Sequence, residues 1–163
     1  MSTPQIETLA EGLASELNYV PGTDIRELVV RIGGKLLSTP VLGVSDGTDG
    51  TLLLRPDSTN FVIVLPVRAS SRQDQLAVAK LLGHYFLHYR FFQIETEGKA
   101  SRPTPARAQR EALLFALAFL MPAEAFSRAY ELAHGKMDVV AASFGVPFEA
   151  AELRHRRLQI RAK

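Results

Sequence analysis

The chain has 163 residues, of which 47% are hydrophobic and 22% charged, and its formal net charge is +2. This composition excludes a disordered or fibrous chain, and the length is that of one domain with its own core. The absence of cysteine excludes disulfides, thiolate metal sites and thiol nucleophiles. The longest apolar run, ALLFALAFLM at 112–121, is too short for a bilayer span. The acidic, amphipathic start lacks a signal-peptide pattern, so we expect a cytoplasmic protein without membrane contact.

The first 34 residues predict two helices. Apolar residues recur at helical spacing from 5 to 18, and the segment YVPGT ends that pattern. A second helix begins after Thr23 or Asp24, either of which can cap it, and Gly33–Gly34 ends it.

Three strand-like runs follow, at 35–44, 51–55 and 60–65. The turn-forming segments SDGTDG and PDSTN connect them, so the simplest prediction is an antiparallel meander. Pro40 cannot donate a ladder hydrogen bond, which favours an edge position for the first run. The third run contains FVIVL, which is continuously apolar and predicts a strand buried on both faces.

The rest of the chain predicts helices. One runs from Ser70 or Ser71 to about Tyr89, and a polar loop, QIETEGKASRPT, follows it. Thr104–Pro105 is a cap followed by a first-turn proline. It opens a helix to 121 that is apolar almost all round and is therefore expected at the centre of the core. A further helix begins at MPAEAF, and two short helices around the turn FGVP complete the chain.

The chain shows no internal repeat and no interdomain linker. We therefore expect a single domain over 1–163. Within it, 1–90 supplies the first helices, the small sheet and one core helix, 104–133 supplies a second core helix and its successor, and 135–163 forms a basic helical tail.

Two motifs indicate a family. LLGHYFLH at 81–88 resembles the second half of the zinc helix of the ImmA/IrrE family of metallopeptidase-like regulators, and EALLFALAFLMP at 111–122 resembles the second conserved helix of that family. The resemblance implies an α+β, mostly helical, zincin-like (minimal gluzincin-like) domain. Such a domain has a small antiparallel three-stranded sheet and a helical C-terminal segment.

The resemblance also assigns a site, and most of its chemistry is missing. The first zinc ligand falls on Lys80, the general base on Leu81, the second ligand on His84 and the third on Gln109. A charged ammonium offers no lone pair, and a neutral amide is a weak ligand. Leucine cannot accept a proton from water, so the general-base contribution is lost. We therefore expect no bound zinc, no other cofactor and no peptidase activity.

Two alternatives remain open at this site. His84, His88 and Glu111 could form a relocated ligand set, although Tyr85 stands where a base would be needed. Against it, Gln109 and Glu111 lie about 200° apart on a helix, so both are not expected to face one cleft. That argument favours His88 as a helix-end or core histidine and Glu111 as a surface acid.

The second alternative concerns Lys80. Its ammonium could occupy the zinc position and hydrogen-bond Gln109 and His84, so that the two core helices are joined without a cofactor. The opposing interpretation is that Lys80 extends past a closed cleft into solvent.

The tail, VVAASFGVPFEAAELRHRR, has the order of a helix-turn-helix: a predicted helix, a short turn that contains glycine, and a second predicted helix. Its basic residues are candidates for contact with DNA or with a partner protein: Arg154, Arg156, Arg157 and Arg161. Glu149 and Glu152 lie in the second helix and argue against direct DNA contact.

The function implied by the resemblance is regulatory. We expect a catalytically inactive, pseudoenzyme-type regulator that binds a helix-turn-helix (XRE-type) repressor of a phage, mobile element or stress response. The alternatives are a zinc endopeptidase with relocated ligands that cleaves such a repressor, and a regulator that binds DNA through its C-terminal helices.

Overall fold

The computed structural model describes residues 1–40, 50–54, 60–67, 70–90 and 104–161. These residues form an α+β fold that is mostly helical, as predicted. Its elements in chain order are α1 (Thr3–Glu16), α2 (Ile25–Arg31), β1 (Lys35–Thr39), β2 (Thr51–Leu54), β3 (Phe61–Pro66), α3 (Ser71–Gly83), a π-helical segment (His84–Arg90), α4 (Pro105–Leu120), α5 (Ala123–Leu132), α6 (Met137–Phe144) and α7 (Phe148–Arg161). The predicted strand residues 41–44, most of the two predicted turns and nearly all of the predicted loop 93–104 lie outside the described residues.

The helix starts follow local capping chemistry. Asp24 accepts a hydrogen bond from the backbone N–H of Arg26 at the start of α2. Ser70 opens α3, and Thr104 opens α4 immediately before Pro105. Each of these side chains satisfies a backbone donor that the helix itself cannot pair, which is why the predicted helix starts are confirmed.

The sheet is mixed, so the prediction of an antiparallel meander is wrong. The strand order is β1-β3-β2. β1 pairs in parallel with β3, with Lys35 opposite Val62, and β2 pairs antiparallel with β3, with Thr51 opposite Val64. The most apolar strand takes the centre, where it can pair on both edges. β1 is consequently an edge strand, as Pro40 predicted.

The central strand is buried on one face, so the prediction of burial on both faces is also wrong. Phe61, Ile63 and Leu65 are buried, whereas Val62 and Val64 are half-buried. The helices cover the inner face, and the ring of Phe61 packs against Tyr85 with centroids 4.4 Å apart. Alternation along the strand therefore sends every second side chain away from the helices.

The centre of the core is α4, as its apolar composition predicted. All residues from Phe115 to Met121 are buried. Phe119 stacks on Phe115 at 5.6 Å and on Tyr19, beyond the end of α1, at 5.2 Å. Each buried aromatic ring contributes roughly 2–3 kcal/mol through removal of apolar surface from water. No single helix in the described ranges is long and apolar enough to cross a membrane; the consecutive helices α4 and α5, bent by 60°, reach that length and apolarity only together.

Gln75 of α3 fixes the connection between α1 and α2. Its amide oxygen accepts a hydrogen bond from the backbone N–H of Ile25 at 3.1 Å. Its amide nitrogen donates to the Tyr19 hydroxyl at 3.1 Å and to the Thr23 carbonyl at 2.7 Å. Burial raises the pKa of the Tyr19 hydroxyl to about 12. One buried amide thus forms hydrogen bonds with three polar groups of the connection between α1 and α2.

The C-terminal segment packs on the rest of the domain through a buried arginine. α6 ends at Gly145 in the left-handed conformation, and α7 follows. On α7, Arg154 is 0% exposed. Its Nε donates to the Met121 carbonyl at 2.9 Å, and its terminal nitrogens donate to Glu7 at 3.4 Å and Glu11 at 2.5 Å on α1.

Candidate functional site

The predicted helix through Tyr89 is confirmed, but its last turns are π-helical. The π-helical segment begins at His84, directly after α3. Tyr85 and Leu87 are buried in this segment, and the rings of His84 and His88 lie on its polar side, with centroids 5.1 Å apart. A π-helical turn is rare and is found frequently at functional sites.

Gly83 sets the distance between this segment and α4. A Cβ atom at this position would lie 3.0 Å from the carbonyl oxygen of Ala112 and 3.2 Å from the Cβ of Phe115. These distances are shorter than ordinary contacts, so a glycine is what permits the two helices to approach so closely. His84 follows Gly83 and Glu111 precedes Ala112, which places their polar side chains at the same crossing.

Four side chains at this crossing form a continuous polar chain of Arg107, Glu111, His88 and His84. Arg107 Nε donates to Glu111 Oε1 at 2.8 Å. Glu111 Oε2 lies 3.0 Å from His88 Nε2, and His88 Nδ1 lies 3.0 Å from His84 Nδ1. The side chains of His88 and Glu111 are only 14% and 12% exposed, whereas that of Arg107 is 54% exposed.

The hydrogen bonds determine where the imidazole protons lie. Burial raises the pKa of Glu111, but the hydrogen bonds from Arg107 and His88 outweigh it and lower the pKa on balance. The ionised carboxylate can only accept, so His88 Nε2 donates the proton. His88 Nδ1 then faces His84 Nδ1 at 3.0 Å, where one of the two nitrogens donates and the other accepts. This assignment follows from the network.

Gln109 also reaches this crossing. Burial and the charges of His88 and Lys80 lower the pKa of His84 on balance, while a hydrogen bond from the imidazole to the Gln109 amide oxygen favours the protonated form. The prediction that Gln109 and Glu111 cannot face one cleft is therefore wrong. Their side chains are long enough to leave opposite sides of α4 and meet different rings of the histidine pair. Glu111 is likewise a paired, largely buried carboxylate, not a surface acid.

The positions of the family's zinc site do not fit a zinc ion. Lys80 is close enough to His84 for its charge to oppose protonation of the imidazole, and Leu81 is 6% exposed in the core. Of the three ligand positions only His84 carries a group suited to zinc, and a cation and a neutral amide stand at the other two positions.

The relocated set of His84, His88 and Glu111 comes together in a chain and not around a point. The ring of His88 directs Nδ1 to His84 and Nε2 to Glu111, and these atoms lie on opposite sides of the ring. Within the described ranges, no group of three or more His, Asp and Glu side chains is arranged to hold a metal ion.

The basic residues of the tail divide into three kinds. The prediction that Arg154 contacts DNA or a partner is wrong, because Arg154 is wholly buried. Arg157 is 25% exposed and lies 3.4 Å from Glu7. Arg156 is 69% exposed and 3.7 Å from Glu152. The side chain of Arg161 lies outside the described residues. The signal that sequence reasoning missed was Glu7 and Glu11, one helical turn apart on α1 and suited to a single guanidinium.

The small sheet beside the crossing of α3 and α4 defines a metallopeptidase-like, zincin-like fold. Residues 39–156 match the family described as the IrrE N-terminal-like domain, and the chain belongs to that family. Among solved structures, a Mycobacterium tuberculosis transcriptional regulator has a similar fold, with a TM-score of 0.61 and 22% sequence identity. The match covers 90% of this chain and 45% of that one, so this chain spans less than half of the regulator. No curated protein matches the chain.

Proposed function

We propose that this protein is a transcription-regulatory member of the IrrE N-terminal-like family that acts by binding a partner protein. The partner we infer is a helix-turn-helix repressor of the XRE type. The observation that carries the proposal is the residue chemistry at the zinc-site positions, where Lys80, Leu81 and Gln109 replace the groups that a peptidase needs. The protein with a similar fold is described as a transcriptional regulator, which supports a role in transcription regulation.

The surroundings of Leu81 support loss of the peptidase reaction. Leu81 is 6% exposed and lies among the buried residues of the core. A side chain in this position neither orients a water molecule nor accepts its proton, and general-base catalysis is typically worth 10²–10⁴-fold in rate. The charge of Lys80 beside His84 further opposes the approach of a divalent cation.

Two exposed regions could supply the contact with the partner. The rim of the former zinc cleft carries Arg107, which is 54% exposed, and the exposed Gln109. The terminal helix α7 presents Arg156, which is 69% exposed. Arg156 can be altered without touching the core, whereas Gln109 contacts the crossing through His84.

The test mixes the purified chain with the helix-turn-helix repressor encoded nearest to its gene, in the presence of zinc. We expect a stoichiometric complex in which the repressor stays intact. Gln109→Arg should weaken binding if the cleft rim is the contact, and Arg156→Glu if α7 is. Arg128→Glu on α5, where Arg128 is 71% exposed, is the matched control. Absence of a complex, or chelator-sensitive cleavage of the repressor, would contradict the proposal.

A zinc endopeptidase is the second candidate, because His84, His88 and Glu111 do lie together. It requires His88 to turn away from one of its two partners so that the ligands converge. Metal analysis of the wild type and of His84→Ala distinguishes the two, since a peptidase would lose both zinc and cleavage in the variant.

Direct DNA binding is the third candidate and is supported by the arrangement of α6, the Gly145 turn and α7. Glu149 is exposed at the start of α7, and Arg154 is withdrawn into the core, which leaves few cations on this helix. Binding of this kind should weaken steeply with salt and with Arg156→Ala.

A further inference from the structure

We propose that the polar chain of Arg107, Glu111, His88 and His84 clamps α4 to the π-helical end of α3 without a metal ion. It would thereby perform the structural role that a ligated zinc ion performs between the corresponding helices of a zincin. This inference concerns the stability of the fold and goes beyond the proposed regulatory role.

The link between the helices is a single bond between side chains that are 23 residues apart in the chain. His88 Nε2 and Glu111 Oε2 are 3.0 Å apart. The two side chains are 14% and 12% exposed, so water competes little for either group. A charge-assisted hydrogen bond in such surroundings is stronger than one at the surface.

Each end of this link is oriented by a residue one turn earlier on its own segment. Arg107 stands four residues before Glu111 and holds the second carboxylate oxygen at 2.8 Å. His84 stands four residues before His88 and holds its Nδ1 at 3.0 Å. The clamp therefore consists of two pairs spaced i, i+4, one from each side of the crossing, that meet in the hydrogen bond between His88 and Glu111.

The crossing itself is close because of Gly83, whose missing Cβ lets the end of α3 approach the backbone of Ala112 on α4. Zinc would need lone pairs that converge on one point. In the clamp, both nitrogens of His88 and both oxygens of Glu111 already face protein groups. The positive charge of Arg107 lies beside Glu111, and that of Lys80 acts on His84.

The first test is thermal unfolding of the wild-type protein, purified without added metal, in excess EDTA and in excess zinc. We expect the same Tm in both solutions. A Tm that falls in EDTA, or that rises with stoichiometric zinc, would show that a metal ion stabilises this crossing and would overturn the inference.

The second test removes the link. Glu111→Ala and His88→Ala should each lower the Tm by on the order of 5 °C, and the double variant by clearly less than the sum of the two. Glu124→Ala, which removes an 88% exposed carboxylate paired with Arg128, should shift the Tm by about 1 °C or less. Additive losses at 88 and 111 would contradict a bond between the two side chains.

A third measurement needs no variant. Nitrogen NMR of His88 at neutral pH should show a proton on Nε2, the nitrogen that faces Glu111. A His88 without a proton on Nε2 would contradict the clamp even if the protein were stable without metal. None of these results depends on the repressor, so failure to bind a repressor would overturn the proposed function and leave the clamp intact.

Discussion

Arg154 of α7 and Glu7 of α1 form a buried ion pair between residues 147 positions apart in the chain. Arg154 Nη1 lies 3.4 Å from Glu7 Oε1, and the two side chains are 0% and 1% exposed. The guanidinium Nε also donates to the Met121 carbonyl at the end of α4. The Arg154 side chain thus links α1, the end of α4 and α7.

Loss of this guanidinium should destabilise the whole domain. Arg154→Met removes one of the two guanidinium groups at the buried Glu7 carboxylate and the donor to the Met121 carbonyl, so we expect the free energy of unfolding to fall by about 3–5 kcal/mol. Urea denaturation measures this. Arg156→Met on the exposed side of the same helix should change the value by about 0.5 kcal/mol or less. Glu7→Gln combined with Arg154→Met should recover part of the loss; a loss below about 1 kcal/mol in Arg154→Met would contradict the argument.

Gln75 should be intolerant of an apolar replacement of similar size. Gln75→Leu leaves the buried Ile25 N–H without its partner, whereas the Thr23 carbonyl still accepts from the Tyr19 hydroxyl at 3.2 Å. We expect a loss of about 1–3 kcal/mol by the same denaturation assay, the usual cost of one buried unpaired group. Gln73→Leu is the matched control, because Gln73 lies two positions before Gln75 on the same helix and its side chain is exposed. Equal effects of the two substitutions would show that the buried amide is not what matters.

The free energy of unfolding at alkaline pH should depend on the ionisation of the Tyr19 hydroxyl. An unfolded tyrosine loses its proton near its ordinary pKa of 10.0, whereas burial raises the pKa of Tyr19 to about 12. Between these values the folded state holds more protons than the unfolded state, so stability falls as pH rises. The difference amounts to at most about 3 kcal/mol. Tyr19→Phe should be less stable at pH 8 yet lose less on going to high pH, and parallel curves for the two proteins would refute the assignment.

Restoring two side chains should restore a metal site. Lys80→His combined with Gln109→Glu places two histidines one helical turn apart, with a carboxylate from α4 opposite them. We expect about one zinc ion per chain by metal analysis, and the wild type should bind none. The same double variant with His84→Ala is the control and should not bind. Binding that survives in this control would place the metal elsewhere.

Local chemistry explains what could be predicted from the sequence. Helix starts at Asp24, Ser70 and Thr104 depend on residues within one turn, and the edge position of β1 follows from Pro40. The central position of α4 follows from its composition. Each of these depends on neighbours in sequence, which a single chain displays directly.

The remaining features depend on contacts between distant segments. The parallel pairing of β1 with β3 was missed because turn signals favour neighbours in sequence, whereas the most apolar strand gains most by pairing on both edges. The burial of Arg154 requires Glu7 and Glu11 on the first helix. The meeting of Gln109 and Glu111 at the histidine pair requires a crossing geometry that helical spacing alone does not give.

The absent side chain at Gly83 has a consequence for how this domain can change over time. The spacing between the two central helices is fixed by backbone contact with Ala112 and not by the groups at positions 80 and 109. Substitutions at those two positions therefore alter the chemistry and leave the separation of the helices as it is. Replacement of side chains at those positions can therefore add or remove a metal ligand while the backbone contact at Gly83 stays in place.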